Sequence, residues 1–171
     1  MVQLHIPTQL KRDIYAWLKT NNIANRGKDD GNIDKQMYGL VAEHLVYQLF
    51  FGKEKDLITG FDGGYDFLLH GKRVDVKTMV RNSFVRPYYV NNFYKLQEHF
   101  DCDVLIFTSI HKEKSVLEIC GWMDKNKFLS EAIFEPKGTP QKRSDGSFFV
   151  LRSDNYIIKN NQLNKIQELW N

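Results

Sequence analysis

The sequence has few cysteines, few prolines and no long apolar run, and each scarcity excludes a class of protein. Its 171 residues include two cysteines, too few for the disulfide framework of a small secreted domain. Cys102 and Cys120 lie in apolar, strand-like runs without metal-ligand spacing, which predicts buried, reduced thiols and no zinc site. No segment approaches the length of a membrane span, and the first residues lack the apolar stretch of a signal peptide. We therefore expect a cytoplasmic protein with no membrane partner.

Net charge is also small, at +3, and the composition is that of an ordinary globular protein. The basic residues nevertheless gather in two segments. These are Arg81, Arg86 and Lys95, in a stretch without acids, and Lys137, Lys142 and Arg143, in a loop with proline and glycine. Arginine can hold phosphates bidentately, and the aromatic residues interleaved with the first segment could stack on bases. Both segments are predicted to bind nucleic acid; buried aromatics and a solvated loop are the alternatives.

Apolar spacing predicts one α/β domain with a mixed central sheet flanked by helices. Helices are predicted over 8–22, 35–51, 91–100 and 124–134 and from residue 160 or 161 onward, and strands over 65–70, 73–79, 103–110, 116–123, 148–152 and 156–159. We expect residues 1–171 to divide into an N-terminal helix and loop (1–34), a catalytic core (35–134) and C-terminal strands with a helix (135–171). The polar stretch 25–32 is expected to be a mobile loop.

The hairpin YDFLLHGKRVDVK, residues 65–77, carries two acids and an amine among apolar residues. Either two-residue loop that the His-Gly-Lys turn allows places Asp66, Asp75 and Lys77 on one face. Carboxylates on opposite strands lie roughly 5 Å apart at Cβ and repel each other. A hard divalent cation such as Mg²⁺ or Mn²⁺ would relieve this repulsion. A solvent-exposed face with cross-strand ion pairs is the alternative.

A third carboxylate is available on the preceding helix. Glu43 is the only acid of the stretch YGLVAEHLVYQLFF, where an unpaired carboxylate would be costly. Gly39, one turn earlier, is expected to allow close approach of another element. Glu43 could therefore face the hairpin and complete a metal site; a narrow solvent stripe shared with Gln36 and Tyr47 is the alternative.

This ordered set resembles the PD-(D/E)XK nuclease superfamily, whose restriction-endonuclease-like fold is shared by restriction enzymes, Holliday-junction resolvases and repair nucleases. The resemblance is carried by Gly39 and Glu43, by Asp66, and by Asp75-Val76-Lys77, over a region from about 35 to 110. Tyr65 stands where many members have a proline. The Q-x-x-x-Y pattern of helicase-linked exonucleases is absent, which argues against that processive branch.

The resemblance implies a metal-dependent DNA endonuclease, a hydrolase that cleaves phosphodiester bonds with Mg²⁺, for which Mn²⁺ would substitute. Asp66 and Asp75 would be the main metal ligands, joined by the backbone carbonyl of Val76. Glu43 would bind the metal through water or take a second ion. Lys77 would orient the attacking water and stabilise the charged phosphorus centre. An ammonium beside carboxylates keeps its proton, so this electrostatic role is preferred to that of a free base.

Several functions remain open at this point. A structure-selective resolvase or repair enzyme is favoured over a sequence-specific restriction endonuclease, because the chain is short and has no evident reading domain. A catalytically silent nucleic-acid-binding module of the same fold is one alternative, and an assembly protein of an unrelated α/β fold is another. DNA is the expected partner, with RNA not excluded, in a bacterial or phage-infected cell. A homodimer is expected if both strands are cut.

Overall fold

The computed structural model describes residues 1–21, 32–58, 63–142 and 146–169. These ranges contain three α-helices and ten β-strands, joined in places by short 3₁₀ turns. The helices are α1 (Thr8–Thr20), α2 (Ile33–Phe51) and α3 (Lys125–Glu131). The strands are β1 (Val2–His5), β2 (Phe67–Leu69), β3 (Lys72–Arg81), β4 (Val90–Tyr94), β5 (Val104–His111), β6 (Val116–Asp124), β7 (Ile133–Glu135), β8 (Pro140–Lys142), β9 (Phe148–Val150) and β10 (Asn155–Lys159).

A mixed sheet of five strands, in the order β1-β6-β5-β3-β2, lies at the centre of the fold. β3 and β5 run parallel, and the other neighbours are antiparallel. All eight residues of β5 are buried, as expected for a strand covered on both faces. A second sheet, β4-β10-β7, and the pair β8-β9 complete the strands of the described ranges. The predicted α/β class, with a mixed sheet flanked by helices, is confirmed.

The two faces of the central sheet carry separate apolar clusters. Val104 and Ile106 of β5 face the cluster that α1 and α2 cover. Leu105 and Phe107, on the opposite face, pack with Phe128 of α3 and with residues of β4 and β10. The sheet is therefore the middle of three layers, and α2 lies on the face opposite to α3.

The hairpin β2–β3 has the predicted two-residue turn. Phe67 is paired with Val74 and Leu69 with Lys72, so His70 and Gly71 form the loop. Both have positive φ, 50° and 78°, which is the requirement of a type I′ turn. The sequence allowed a loop at His70-Gly71 or at Gly71-Lys72, and the structure therefore has the loop at His70-Gly71.

Helix α2 begins two residues earlier than predicted. Its N-cap is Asn32, whose side chain accepts a hydrogen bond from Lys35 N at 3.0 Å. The helix ends before Gly52, as predicted. A Cβ atom added at Gly39 would meet no described atom within 4 Å, so the expected close approach of another element is wrong within the described ranges.

The predicted helix over 91–100 is wrong. Residues 90–94 form β4, where buried and half-buried side chains alternate, and a 3₁₀ turn follows over Lys95–Gln97. Val90–Tyr94 pairs antiparallel with β10. The apolar residues fit both periods in so short a segment, and the pairing with a distant strand decides the outcome.

The C-terminal helix is also wrong within the described ranges, which show two 3₁₀ turns there, Asn160–Gln162 and Ile166–Leu169. Asn164 pairs instead with Trp122 of β6, through N–H to oxygen contacts of 3.0 Å in each direction. Tertiary pairing therefore replaces helical hydrogen bonds.

Other differences are smaller. The helix predicted over 124–134 ends at Glu131, where β7 follows shortly, and β1 was not predicted. The strands predicted over 103–110 and 116–123 are confirmed within one residue. The expected mobile loop at 25–32 lies outside the described residues except for Asn32.

Both cysteines are free, Cys102 buried and Cys120 partly buried. Burial raises the pKa of Cys102 to about 11 and that of Cys120 to about 12, which suits the predicted unreactive thiols. Among the helices in the described part of the chain, none is both long and apolar enough to cross a membrane.

Candidate active site

Asp75 and Lys77 lie on the same face of β3 and form an ion pair. In the parallel register they stand beside Leu105 and Phe107, so they face the cluster that α3 covers. Lys77 Nζ is 2.6 Å from Asp75 Oδ2, and the two side chains are 16% and 7% exposed. Lys77 also lies 5.5 Å from the ring centre of Phe93. A solvent-exposed charged face, the alternative considered above, is therefore wrong for this pair.

Asp66 is placed by the point at which β2 begins. It lies one residue before that strand, and its N–H donates to the carbonyl of Val74 at 2.7 Å. Its carboxylate accepts the N–H of Val76 at 2.6 Å. Because strand N–H groups point along the sheet and not above it, this carboxylate lies at the edge of β3. Asp66 thus reaches Asp75 from the strand edge, whereas the turn arithmetic had placed both on one face.

The pKa of Asp66 is changed by its burial and by the charged groups near it. Burial, the largest cause, and then the negative charges of Glu43 and Asp75 hold the pKa of Asp66 well above its usual range. Lys77 and the hydrogen bond from Val76 act in the opposite direction. Glu43 on α2 and Asp75 on β3 are therefore near enough to Asp66, the residue before β2, for their charges to act on it.

Glu43, on α2, forms an ion pair with Lys55. The two side chains are 14% and 13% exposed, so the pair is largely removed from water. The alternative position of Glu43, on an open solvent stripe, is wrong. Lys55 follows the end of α2 and was not among the predicted site residues.

The donor set has the chemistry that a hard divalent cation requires, namely carboxylate oxygens. Asp75 Oδ2 is buried and accepts no hydrogen bond of acceptable geometry within the described residues, although the Lys77 ammonium is near it. Asp66 is destabilised as an anion by the neighbouring acids. Both features would be relieved by a cation. No three His, Cys, Asp or Glu side chains of the described ranges are arranged as a ready metal site, and Glu43 is held by Lys55.

Arg73 fixes the start of β3 beside the start of β5. Its guanidinium donates two hydrogen bonds to Asp103, at 2.9 and 3.0 Å, and its N–H donates a third at 2.8 Å. It also contacts Asp101. These bonds from Arg73 lower the pKa of Asp103 to about 2. These contacts of Arg73 with Asp101 and Asp103 hold β3 in position two residues before Asp75.

The predicted nucleic-acid residues of the first basic segment differ in position. Arg81 is directed inward: its guanidinium donates to the carbonyl of Val90 and lies 5.2 Å from the ring centre of Tyr89. Burial lowers the pKa of Arg81. Arg86 is exposed, and Tyr88, two residues along the chain, is 66% exposed. Arg86 is therefore available to a ligand, and Arg81 holds β4 beside β3.

Lys95 and Lys137, from the two predicted segments, line the same open groove of about 750 Å³. Arg152, which was not predicted, lines it as well. Lys142 is exposed at the end of β8, and Arg143 lies outside the described residues. The groove also holds acids, Glu98 and Asp154, so its positive charge is partly offset.

Two residues of the site were missed for identifiable reasons. Lys55 lies in the polar segment GKEKD, where no spacing distinguishes it from Lys53. Arg152 follows a short strand and belongs to no basic run. Their positions depend on how the chain returns after α2 and after β9, which sequence periodicity does not encode.

Comparison of the chain with protein-family models, with curated proteins and with solved structures found no match.

Proposed function

We propose that this protein is a metal-dependent DNA endonuclease with a restriction-endonuclease-like fold of the PD-(D/E)XK type. The observation that carries the proposal is the buried ion pair of Asp75 with Lys77, next to Asp66, whose pKa is raised by burial and by the charges of Glu43 and Asp75. A carboxylate destabilised as an anion is costly to a fold and is typical of functional sites.

In this proposal Asp66 and Asp75 hold Mg²⁺, together with the carbonyl of Val76, and Glu43 binds through water. When bound, the ion supplies charge stabilisation at the phosphoryl and leaving oxygens and favours ionisation of water. The hydrogen bond from Val76 orients Asp66. The ion pair with Asp75 and the ring of Phe93 direct the Lys77 ammonium, which then orients the attacking water and stabilises the charge that develops at phosphorus.

Substrate contacts would come from the exposed basic residues. The exposed Arg86 suits a phosphate, and the exposed ring of Tyr88 suits an unstacked base. Lys95 and Lys137, with Arg152, would hold phosphates along the groove that they line. Arg81 has a structural role in this proposal. Branched or damaged DNA is the favoured substrate, with a homodimer if both strands are cut, in the cytoplasm of a bacterial or phage-infected cell.

The test is cleavage of supercoiled plasmid, branched DNA and single strands in Mg²⁺, Mn²⁺ or EDTA. We expect metal-dependent cleavage that Asp75→Asn and Lys77→Met each reduce by about 10²-fold or more, since both act on the transition state. DNA binding, measured by anisotropy, should survive both changes. Arg86→Ala should weaken binding and reduce its dependence on salt.

Lys72→Met is the matched control for Lys77→Met. Lys72 lies on the same strand but is exposed and forms only a loose pair with Asp124, at 3.7 Å, so its loss should leave cleavage unchanged. Cleavage by Lys77→Met at the parent rate would contradict the mechanism. Binding of DNA by the parent protein without cleavage in any metal would favour the silent module instead.

A further inference from the structure

The ion pair of Lys55 with Glu43 is a feature for which the proposed mechanism has no role. Both side chains are more than four-fifths buried. A buried charge that loses its partner is strongly destabilising. The pair therefore holds each of its members in place, and any other cation that takes Glu43 must displace Lys55.

The backbone that follows α2 places Lys55 beside Glu43. Gly52 ends α2 in the left-handed conformation, with its N–H bonded to Gln48, so the chain reverses beside the last turns of the helix. Leu57 then packs against the first apolar cluster. Lys55 lies between these two anchors, and the short segment from 53 to 58 is tied to the carboxylate twelve residues earlier.

Glu43 also acts on another acid of the candidate site. Its charge is the second-largest cause, after burial, of the raised pKa of Asp66, so Glu43 lies within electrostatic range of Asp66 as well as in contact with Lys55. Two ammonium groups are already paired with these acids, Lys55 with Glu43 and Lys77 with Asp75. A divalent cation at the acids would be repelled by Lys55 and would compete with it for Glu43.

We propose that Lys55 is a resident counter-cation that competes with a divalent metal ion for Glu43, and that it thereby weakens metal binding at the site. Lys55 is a positioning residue, because it acts through Glu43 and does not touch a substrate. The identity of the metal site rests on the proposed function, but the competition is measurable without cleavage.

The test is calorimetric titration of Mn²⁺ into the full chain after removal of metal. Lys55→Met should bind Mn²⁺ at least threefold more tightly than the parent, because the positive charge beside Glu43 is lost and the ion no longer competes with it. Lys53→Met is the matched control: Lys53 is two residues away and exposed, so its removal should change affinity less than twofold. Lys55→Arg keeps the charge and should bind Mn²⁺ as the parent does.

The same change made in a Glu43→Gln protein tests whether Lys55 acts through Glu43. In Glu43→Gln, the further change Lys55→Met should raise Mn²⁺ affinity by less than it does in the parent, because the contested carboxylate is gone and only the repulsion by the Lys55 charge is removed. Circular dichroism reports folding of each variant, and Lys55→Gln replaces Lys55→Met if the latter does not fold. Equal or weaker affinity in the folded Lys55 variant, the same gain with Lys53→Met, or no measurable Mn²⁺ binding in any variant would overturn the inference.

Cleavage is assayed separately, so the two proposals fail in different ways. If Lys55→Met tightens Mn²⁺ binding and the parent cuts no DNA, the competition stands and the nuclease proposal fails. If the parent cuts DNA and Lys55→Met has unchanged Mn²⁺ affinity, the nuclease proposal stands and the competition fails.

Discussion

The carboxylate of Asp66 accepts the backbone N–H of Val76 at 2.6 Å, so a side chain takes the place of a strand partner just before β2 begins. The same hydrogen bond aims Asp66 at the edge of β3, next to Asp75. Since the N–H belongs to the residue between Asp75 and Lys77, the acid from one strand is tied to the D-x-K stretch of the other. The geometry of the candidate site therefore depends on the register of the hairpin.

Insertion of one glycine between His70 and Gly71 should abolish metal-dependent cleavage and Mn²⁺ binding. The added residue breaks the pairing of Phe67 with Val74 and turns Asp66 away from Val76, since a shift of one residue reverses every side chain of a strand. Plasmid cleavage and calorimetry measure the outcome. The same insertion after Gly138, an exposed turn residue with open space around it, is the control and should leave both unchanged. If the protein with the hairpin insertion still cleaved DNA, the candidate site would not depend on the hairpin register.

Asp66→Asn should stabilise the protein at neutral pH in EDTA. The folded state raises the pKa of Asp66 above its unfolded value of about 3.9. Its ionisation therefore costs stability, and this cost is absent below pH 4 and grows as pH rises towards the folded pKa. The amide oxygen of Asn can still accept the N–H of Val76. Urea unfolding at pH 4 and pH 7 measures the free energy of unfolding, and the gain should be larger at pH 7.

Asp124→Asn is the control for that experiment, because Asp124 is half exposed and only loosely paired. Its effect on the free energy of unfolding should stay within about 0.5 kcal/mol. A loss of stability at pH 7 in Asp66→Asn would mean that the carboxylate is not destabilised by its neighbours.

Asp103→Asn should have the opposite dependence on pH. Arg73 lowers the pKa of Asp103 to about 2, below the unfolded value of about 3.9. The resulting stability is present in full well above pH 4 and is lost as pH falls through about 2. The variant should therefore be less stable than the parent at pH 7, and the two should converge on acidification. Thermal unfolding between pH 2 and pH 7 tests this, and a difference independent of pH would contradict the ionic origin of the contact between Arg73 and Asp103.

Gly39→Ala should raise the free energy of unfolding by roughly 0.5–1 kcal/mol, the usual gain from replacing glycine within a helix. A Cβ at this position meets no described atom within 4 Å. Gly64→Ala is the contrasting variant, because its Cβ would lie 2.8 Å from Cβ of Phe100, and it should destabilise. Urea unfolding measures both. A destabilising Gly39→Ala would show that another part of the chain does approach α2 there.

The predictions from sequence were accurate where neighbouring residues determine the structure. The His70–Gly71 turn sets the pairing of β2 with β3, and the apolar run 103–110 forms the buried strand β5. They were wrong where distant segments compete for the same residues. Residues 90–94 form β4 because β10 offers a pairing edge, and the segment after residue 160 pairs with Trp122.

For the candidate site too, local features were predictable from the sequence and features that depend on distant segments were not. The spacing of Asp75 and Lys77 on one strand was sufficient to predict that these two groups share a face, because the alternation of side chains along a strand is local. The tertiary structure alone decided that Asp75 is buried, that Asp66 lies at the strand edge, and that Lys55 faces Glu43. These depend on how α2 and the segment after it pack beside the sheet, and packing over such distances follows from burial of the whole core and not from any short pattern.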